Sequence, residues 1–141
     1  MNTPTPKSDY MLLFRGTNWD QDLSPDQLQK VVSDWYAWFE RLTQEGKAIG
    51  GHPLQNEGKI VSGKKGRTVA DGPFAESKEA IGGYFYLQVA DMDEAVEIAK
   101  QCPGLEYGAI VEVRPVAEMC TARHRALEIS SCLGQLAGAT A

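Results

Sequence analysis

The chain has few cysteines, and its charge balance leaves little room for a nucleic-acid surface. Its 141 residues include three cysteines, Cys102, Cys120 and Cys132, and none of them is spaced as C-x-x-C. An odd number of widely spaced cysteines indicates reduced thiols, which predicts a cytoplasmic protein without a disulfide framework. The formal net charge of −5 argues against nucleic-acid binding, because phosphate contacts need clustered Lys and Arg.

Signals for a membrane, a cofactor or a metal are also missing from the sequence. The first ten residues have no apolar core, so they do not resemble a signal peptide. No run approaches the ~18 apolar residues needed to cross a bilayer, so we expect no membrane partner. Neither glycine-rich phosphate motif is present, and Cys120 and His124, four residues apart, lack a third metal ligand. We therefore expect no cofactor and no metal.

Two segments carry the periodicity and the end signals of helices. Ser24 is placed to cap the first helix, Gln27 completes a capping box, and Gly46 suits the left-handed position that ends it. The second helix begins after Asp91, with a similar cap, and ends at Pro103. Apolar residues recur at helical spacing in the first helix at Leu28, Val31, Val32, Trp35, Trp38, Phe39 and Leu42, and we expect the second to bury Ala95, Val96, Ala99 and Cys102.

Strands separate these helices. We predict them at 10–15, 47–54, 80–89 and 108–115, with a hairpin formed by 59–62 and 67–70. The order predicts an α+β fold, a ferredoxin-like sheet with an inserted hairpin and both helices on one face. The other face would expose Tyr84, Tyr86 and one side of the first strand. Such a patch is too apolar for a monomer, so we expect a homodimer whose sheets pack face to face.

The segment 71–79 reads D-G-P-F-A-E-S-K-E, in which Gly72 and Pro73 favour an abrupt turn. It resembles the signature of the YCII-related family in its DGPF branch, D-G-P-F-A-E-x-K-E. The resemblance covers roughly residues 10–116 and implies a dimeric α+β barrel. It also implies a regulatory partner, since DGPF-type proteins are often associated with extracytoplasmic-function sigma factors. We expect residues 1–9 to be a disordered N-terminus and 117–141 to form a C-terminal helical extension.

His52 and Asp71 are the candidate catalytic pair. His52 lies in a Gly-Gly-His-Pro segment at the end of a strand, and histidine is the natural proton carrier near neutral pH. Asp71 would orient its imidazole if the two strand ends converge. The alternative is that His52 is a surface residue and that Asp71 bonds the backbone of its own turn, as Asp often does.

Five further residues are candidate ligand contacts. Arg15 can bind a carboxylate with two parallel hydrogen bonds, although a salt bridge within the chain explains it equally well. Tyr84 and Tyr86 can orient a ligand through their hydroxyls or can simply pack in the dimer. Glu76 and Lys78 can line a pocket mouth or belong to a solvated charged run.

The resemblance also bears on catalysis. Members of the family that look catalytic carry a His in the first helix and an Asp just before a Pro after the second. Trp35 and Cys102 stand at those places here, which removes both proton carriers. We therefore predict a ligand-binding or regulatory accessory protein. The alternative is a metal-independent lyase or isomerase that acts on a small acidic or aromatic compound through His52 and Asp71.

Overall fold

The computed structural model describes residues 6–72 and 80–139, with side chains as far as Leu133. Within these ranges the fold is α+β, as predicted. Its strands and α-helices are β1 (Ser8–Arg15), α1 (Pro25–Gln44), β2 (Ala48–Pro53), β3 (Lys59–Ser62), β4 (Thr68–Asp71), β5 (Ile81–Val89), α2 (Met92–Ala99), β6 (Ile110–Pro115) and α3 (Thr121–Ala139). Short 3₁₀ turns lie at Lys64–Gly66 and Pro103–Tyr107.

The main sheet has four antiparallel strands in the order β2-β5-β1-β6. β1 is a central strand, as its apolar composition predicts. The second sheet is the predicted hairpin of β3 and β4, which pair with each other and with no strand of the main sheet in the described residues. Of the segment 71–79, only Asp71 and Gly72 are among the described residues, so Glu76 and Lys78 lie outside them.

The ends of α1 follow the predicted signals. Ser24 Oγ accepts a hydrogen bond from the Gln27 backbone N–H (3.2 Å), and Gln27 Oε1 accepts one from the Ser24 N–H (3.0 Å). Gly46 has a φ of 73°, the left-handed conformation that ends a helix. At α2, Asp91 accepts from the Glu94 N–H, but Glu94 accepts from Ala90, one residue before the predicted partner.

Both α1 and α2 pack on one face of the main sheet and enclose a single core. The alternation of β5 is as predicted, with Phe85, Leu87 and Val89 buried against the helices. Ile98 of α2 is buried although the sequence analysis did not select it, and Val96 is only half-buried. The expected core residues Leu28 and Val32 of α1 are instead exposed.

The helix-free face of the sheet is more polar than the strand pattern suggests. Tyr86 donates a hydrogen bond to Asp9 Oδ2 (2.7 Å) across β1 and β5. Arg15 pairs with Glu112 at 3.4 Å. Met11 and Leu13 lie half-buried between these polar pairs. The apolar part of this face therefore consists of a narrow central stripe and of Ile110 at its edge.

Helix α3 stands apart from this arrangement. Every described side chain in it, from residue 121 to residue 133, is exposed, including Leu127, Ile129 and Leu133. The helix therefore buries no described apolar side chain within its own chain. Among the described residues, no helix combines the length and the hydropathy that crossing a membrane requires.

Candidate functional site

A cavity of about 410 Å³ opens between α1 and one end of the main sheet. It is bordered by the ends of β1, β2 and β5 and by the loop between β1 and α1. Its lining consists of Phe14, Gly16, Thr17, Trp19, Asp20, Leu28, Val32, Trp35, Tyr36, Phe39, Gly51, His52, Pro53, Asn56, Gly82, Gly83, Tyr84 and Phe85. Most of these side chains are apolar or absent, and the polar ones are few.

Aromatic rings form the walls. The indoles of Trp19 and Trp35 stack with centroids 5.8 Å apart and planes 15° from parallel. Phe14 contacts Trp35 edge to face at 4.9 Å and Phe85 at 4.8 Å. Trp38 lies behind this wall, with its ring 6.0 Å from that of Trp35. All three tryptophans of the chain are thus at or next to the cavity.

Glycines on neighbouring strands form part of the lining. A Cβ at Gly51 would lie 2.8 Å from both Phe85 Cδ1 and the Tyr84 carbonyl oxygen. A Cβ at Gly83 would lie 3.1 Å from the His52 carbonyl oxygen. Both positions therefore require close backbone approach. Because glycine has no side chain, this end of the sheet carries little side-chain volume. Gly16, with a φ of 82°, turns the chain from β1 into the loop that carries Trp19.

The lining of the cavity has a negatively charged residue and no positively charged one among the described residues. Asp20 is the one lining residue with a full formal charge at neutral pH, since no Lys or Arg lines the cavity in the described part of the chain. The Asp20 side chain is half-buried, and within residues 6–72 and 80–139 it has neither a hydrogen bond nor an ion pair. The other polar residues of the lining are Thr17, Tyr36, His52, Asn56 and Tyr84.

His52 borders the cavity, and its ring, on the side of the sheet opposite Gly51 and Phe85, is held by Tyr84. Its Nδ1 lies 2.8 Å from Tyr84 Oη, in a cross-strand pair set by the β2–β5 register. Asp71 instead forms an ion pair with Lys59 across the β3–β4 hairpin. The described hydrogen bonds thus give His52 and Asp71 different partners, and Asp71 is not among the lining residues.

Two other candidate ligand contacts face elsewhere. Arg15 pairs with Glu112, and neither lines the cavity. Tyr86 also lies outside the lining, and its hydrogen bond to Asp9, followed by partial burial, raises the pKa of the phenol. Of the three predicted ligand contacts among the described residues, only Tyr84 borders the cavity.

Trp35 and Cys102, the positions at which the resemblance led us to expect proton carriers, both belong to or pack against the core. Trp35 is part of the cavity wall, and its ring packs so closely on Gly104 that a Cβ there would be 2.8 Å away. Cys102, two residues earlier, is buried, and this burial raises the pKa of its thiol to about 11. The thiol is therefore protonated near neutral pH.

Within the described residues, no cluster of three His, Cys, Asp or Glu side chains is arranged to hold a metal ion.

The sequence analysis missed Trp19, Asp20 and Asn56. They lie in loops without periodicity, and only the folded chain places them beside α1. One available signal was the presence of two Gly-Gly pairs, at 50–51 and 82–83, in segments predicted as strands. Glycine in a strand marks close backbone approach, so paired strands with such doublets indicate a place for a ligand or a packed ring.

Comparisons with known proteins identify the family of the chain. The family model described as the YCII-related domain matches residues 9–120. An uncharacterized protein of Rhizobium meliloti (strain 1021) is 40% identical over 50 residues, a match that covers 35% of this chain and 40% of that relative's length. Among solved structures, the hydroxynitrile lyase from Passiflora edulis is similar with a TM-score of 0.33 and 9% identity. That similarity covers 83% of this chain and 99% of the lyase chain.

Proposed function

Because the chain belongs to the YCII-related family, we propose that it is a ligand-binding or regulatory accessory protein. Its small-molecule site is the cavity between α1 and the sheet. The observation that carries this proposal is the cavity itself, about 410 Å³ in volume and walled by stacked aromatic rings. Ligand sites are typically concave, mostly apolar and supplied with a few polar groups, and this cavity has each of those properties.

The two substituted family positions support binding rather than catalysis. Trp35 stands where members that look catalytic carry His, and an indole does not exchange protons near neutral pH. Cys102 stands where they carry Asp, and the pKa of its buried thiol is about 11. Neither residue can act as a general acid or base at physiological pH, whereas Trp35 gives the cavity an apolar wall.

The alternative is a metal-independent lyase or isomerase, and one contact favours it. His52 lines the cavity, and its ring shares a hydrogen bond with Tyr84 that would fix its orientation. In the enzyme expected from the sequence, Asp71 would act as the orienting carboxylate. Since Asp71 pairs with Lys59, an enzyme built on this geometry would use Tyr84 in that role.

Intrinsic fluorescence tests the proposed function directly, because two tryptophans line the cavity and the third contacts one of them. We expect small aromatic compounds to change the tryptophan emission and to raise the unfolding temperature together. At a hundredfold excess over Kd, a ligand adds about 2.7 kcal/mol to the free energy of unfolding. The proposal fails if a broad screen of such compounds changes neither quantity.

His52→Ala separates the two candidate functions. For an accessory protein we expect the Kd of the ligand, obtained from the rise in unfolding temperature, to change by no more than about a factor of two, because an exposed side chain contributes little to apolar binding. For the enzyme, the same variant would remove the proton carrier and abolish product formation from any compound that the wild-type protein converts. Turnover by the wild-type protein that disappears in His52→Ala would therefore favour the alternative.

We also propose the finer architecture, a ferredoxin-like sheet that pairs with a second copy through its helix-free face. The strand order β2-β5-β1-β6 and the location of α1 and α2 on one face support it. The half-buried stripe of Met11 and Leu13 would then lie at the centre of the interface. Two sheets packed in this way form the dimeric α+β barrel.

Light scattering during size-exclusion chromatography tests this dimer. We expect the wild-type protein to elute with twice the 15.4 kDa mass of one chain. Met11→Glu should elute as a monomer, because it adds a charge to the centre of the interface, where an unpaired buried charge costs several kcal/mol. Leu133→Glu on the exposed face of α3 is the control and should remain dimeric. A dimeric Met11→Glu variant would contradict the proposed interface.

A regulatory role requires a protein partner, and an extracytoplasmic-function sigma factor is the partner that the resemblance implies. The exposed apolar side chains of α3, Leu127, Ile129 and Leu133, support a contact with another chain. The free thiols Cys102, Cys120 and Cys132 are consistent with a cytoplasmic location, which we also propose.

A further inference from the structure

We propose that the cavity selects an organic cation with an apolar or aromatic body, such as a substituted ammonium compound, in preference to a carboxylate. This inference rests on the proposed ligand-binding function and names its ligand class. It departs from the sequence-based expectation of an acidic compound, in which Arg15 would hold the ligand's charge. The structure pairs Arg15 with Glu112 and leaves it outside the lining.

Aromatic rings form much of the cavity wall. Trp19, Trp35 and Tyr36 all line it, and the two indoles are nearly parallel. The face of an aromatic ring is the negative part of its quadrupole, and tryptophan attracts cations most strongly. Groups of such rings are the common recognition element for substituted ammonium ions. A carboxylate would meet the same ring faces with repulsion.

The formal charge of the lining is negative. Asp20 is the one fully charged residue of the described lining, and its carboxylate has no partner within the described part of the chain. Its neighbour in sequence is Trp19, and both residues line the same cavity, so a cation bound there can contact the rings and is attracted by the carboxylate. An anion would face this carboxylate without any Lys or Arg to neutralise it. The net charge of −5 also attracts cations over longer distances.

The rim of the cavity can hold the apolar body of such a ligand. Leu28 and Val32 have the spacing of core residues, yet they are 37% and 43% exposed at the rim of the cavity. Tyr36, one turn after Val32, is 72% exposed. These side chains form an apolar rim beside the aromatic wall. A ligand with an alkyl or aromatic body would cover the rim while its charged group contacts the rings.

The test compares three probes of similar size, each titrated against the full chain with tryptophan fluorescence and calorimetry. They are the cation N,N,N-trimethylanilinium, its neutral carbon isostere tert-butylbenzene, and the anion benzoate. We expect the cation to bind about three- to tenfold more tightly than the neutral isostere, the range that cation–π contacts and one partly solvated carboxylate provide. Benzoate should bind more weakly than either.

Three variants test which residues cause the preference for the cation over the neutral probe. Asp20→Asn keeps the side-chain shape and removes the charge, so the preference for the cation over the neutral probe should fall by about threefold or more. Val32→Lys adds a positive charge at the rim and should weaken the cation more than the neutral probe, since both lose an apolar contact but only the cation is repelled. Val61→Lys makes the same change in the β3–β4 hairpin, outside the cavity, and should leave both affinities unchanged.

The outcomes separate this inference from the proposed function. If the neutral probe binds as tightly as the cation, the cavity is a ligand site but the inferred ligand class is wrong. If the cation is preferred and Asp20→Asn and Val32→Lys leave that preference intact, the charge argument is wrong. If none of the three probes binds at millimolar concentration, the inference fails, whereas the proposed function fails only if the broader screen also finds no ligand. A preference for the cation that both variants reduce supports the inference.

Discussion

Trp38→Ala is expected to lower the free energy of unfolding by about 3–5 kcal/mol, the usual cost of removing a buried aromatic side chain. Trp38 is 2% exposed, and its ring contacts Phe14, Trp35 and Phe85. The substitution therefore removes the support behind the aromatic wall. Urea denaturation monitored by circular dichroism measures the change, since the variant loses part of its fluorescence signal.

Trp38→Phe should cost far less, about 1 kcal/mol or below. Its indole N–H is buried and has no hydrogen-bond partner among the described residues, and an unsatisfied buried donor costs about 1–3 kcal/mol. Phenylalanine loses some packing volume but also loses this donor. Tyr36→Ala, two residues earlier and 72% exposed, is the control and should change stability by about 0.5 kcal/mol or less. Equal losses for Trp38→Phe and Trp38→Ala would show that the N–H has a partner.

Gly51→Ala is the second substitution with a large expected effect. Its new Cβ would lie 2.8 Å from the ring of Phe85 and from the Tyr84 carbonyl oxygen, and 3.1 Å from the ring of Phe39. Because a strand carbonyl cannot move freely, Phe85 and Phe39 must shift, and both line the cavity. We expect a loss of about 1–3 kcal/mol in stability, as for other overpacked sites. Ligand affinity should fall with it.

Gly50→Ala is the matched control for this prediction. Gly50 is the preceding residue of the same strand, its φ is not positive, and a Cβ there would meet nothing within 4 Å. We expect its stability to be unchanged or raised by up to about 1 kcal/mol, because alanine restricts the unfolded chain. Denaturation curves and ligand titrations of the two variants give the comparison. Equal behaviour at the two positions would contradict the close packing described for Gly51.

The sequence predicted the elements of this fold because their signals are local. The capping box of Ser24 and Gln27, the left-handed Gly46 and the alternation in β5 depend on residues a few positions apart. The hairpin was predicted for the same reason, from short β-prone runs on either side of a glycine-rich turn. Each of these features appears in the structure near its predicted position.

The exposed side of α1 shows where local signals stop. Helical spacing selected Leu28 and Val32 as core residues. Periodicity identifies the apolar side of a helix, but it does not show which residues pack against that side. Opposite these two residues the lining includes Gly51, Gly82 and Gly83, which have no side chains, so Leu28 and Val32 border a cavity instead of a core.

The site was harder to predict than the fold because it depends on register and on loops. His52 meets Tyr84 only through the pairing of β2 with β5, and an irregularity between Ala48 and Gly50 sets that pairing. A shift of one residue would turn His52 to the other side of the sheet. Trp19 and Asp20 depend on the path of the loop after Gly16, which carries no periodic signal.

The separation of α3 from the rest of the chain has a consequence for how this protein can diversify. A side chain in α1 or β5 must fit its neighbours, so a change there requires compensating changes around it. The described part of α3 has no such neighbours, so its sequence can drift, or be selected for a new associate, while the globular part keeps its shape. Relatives of this chain are therefore expected to differ most in this appendage and least around the tryptophan cluster.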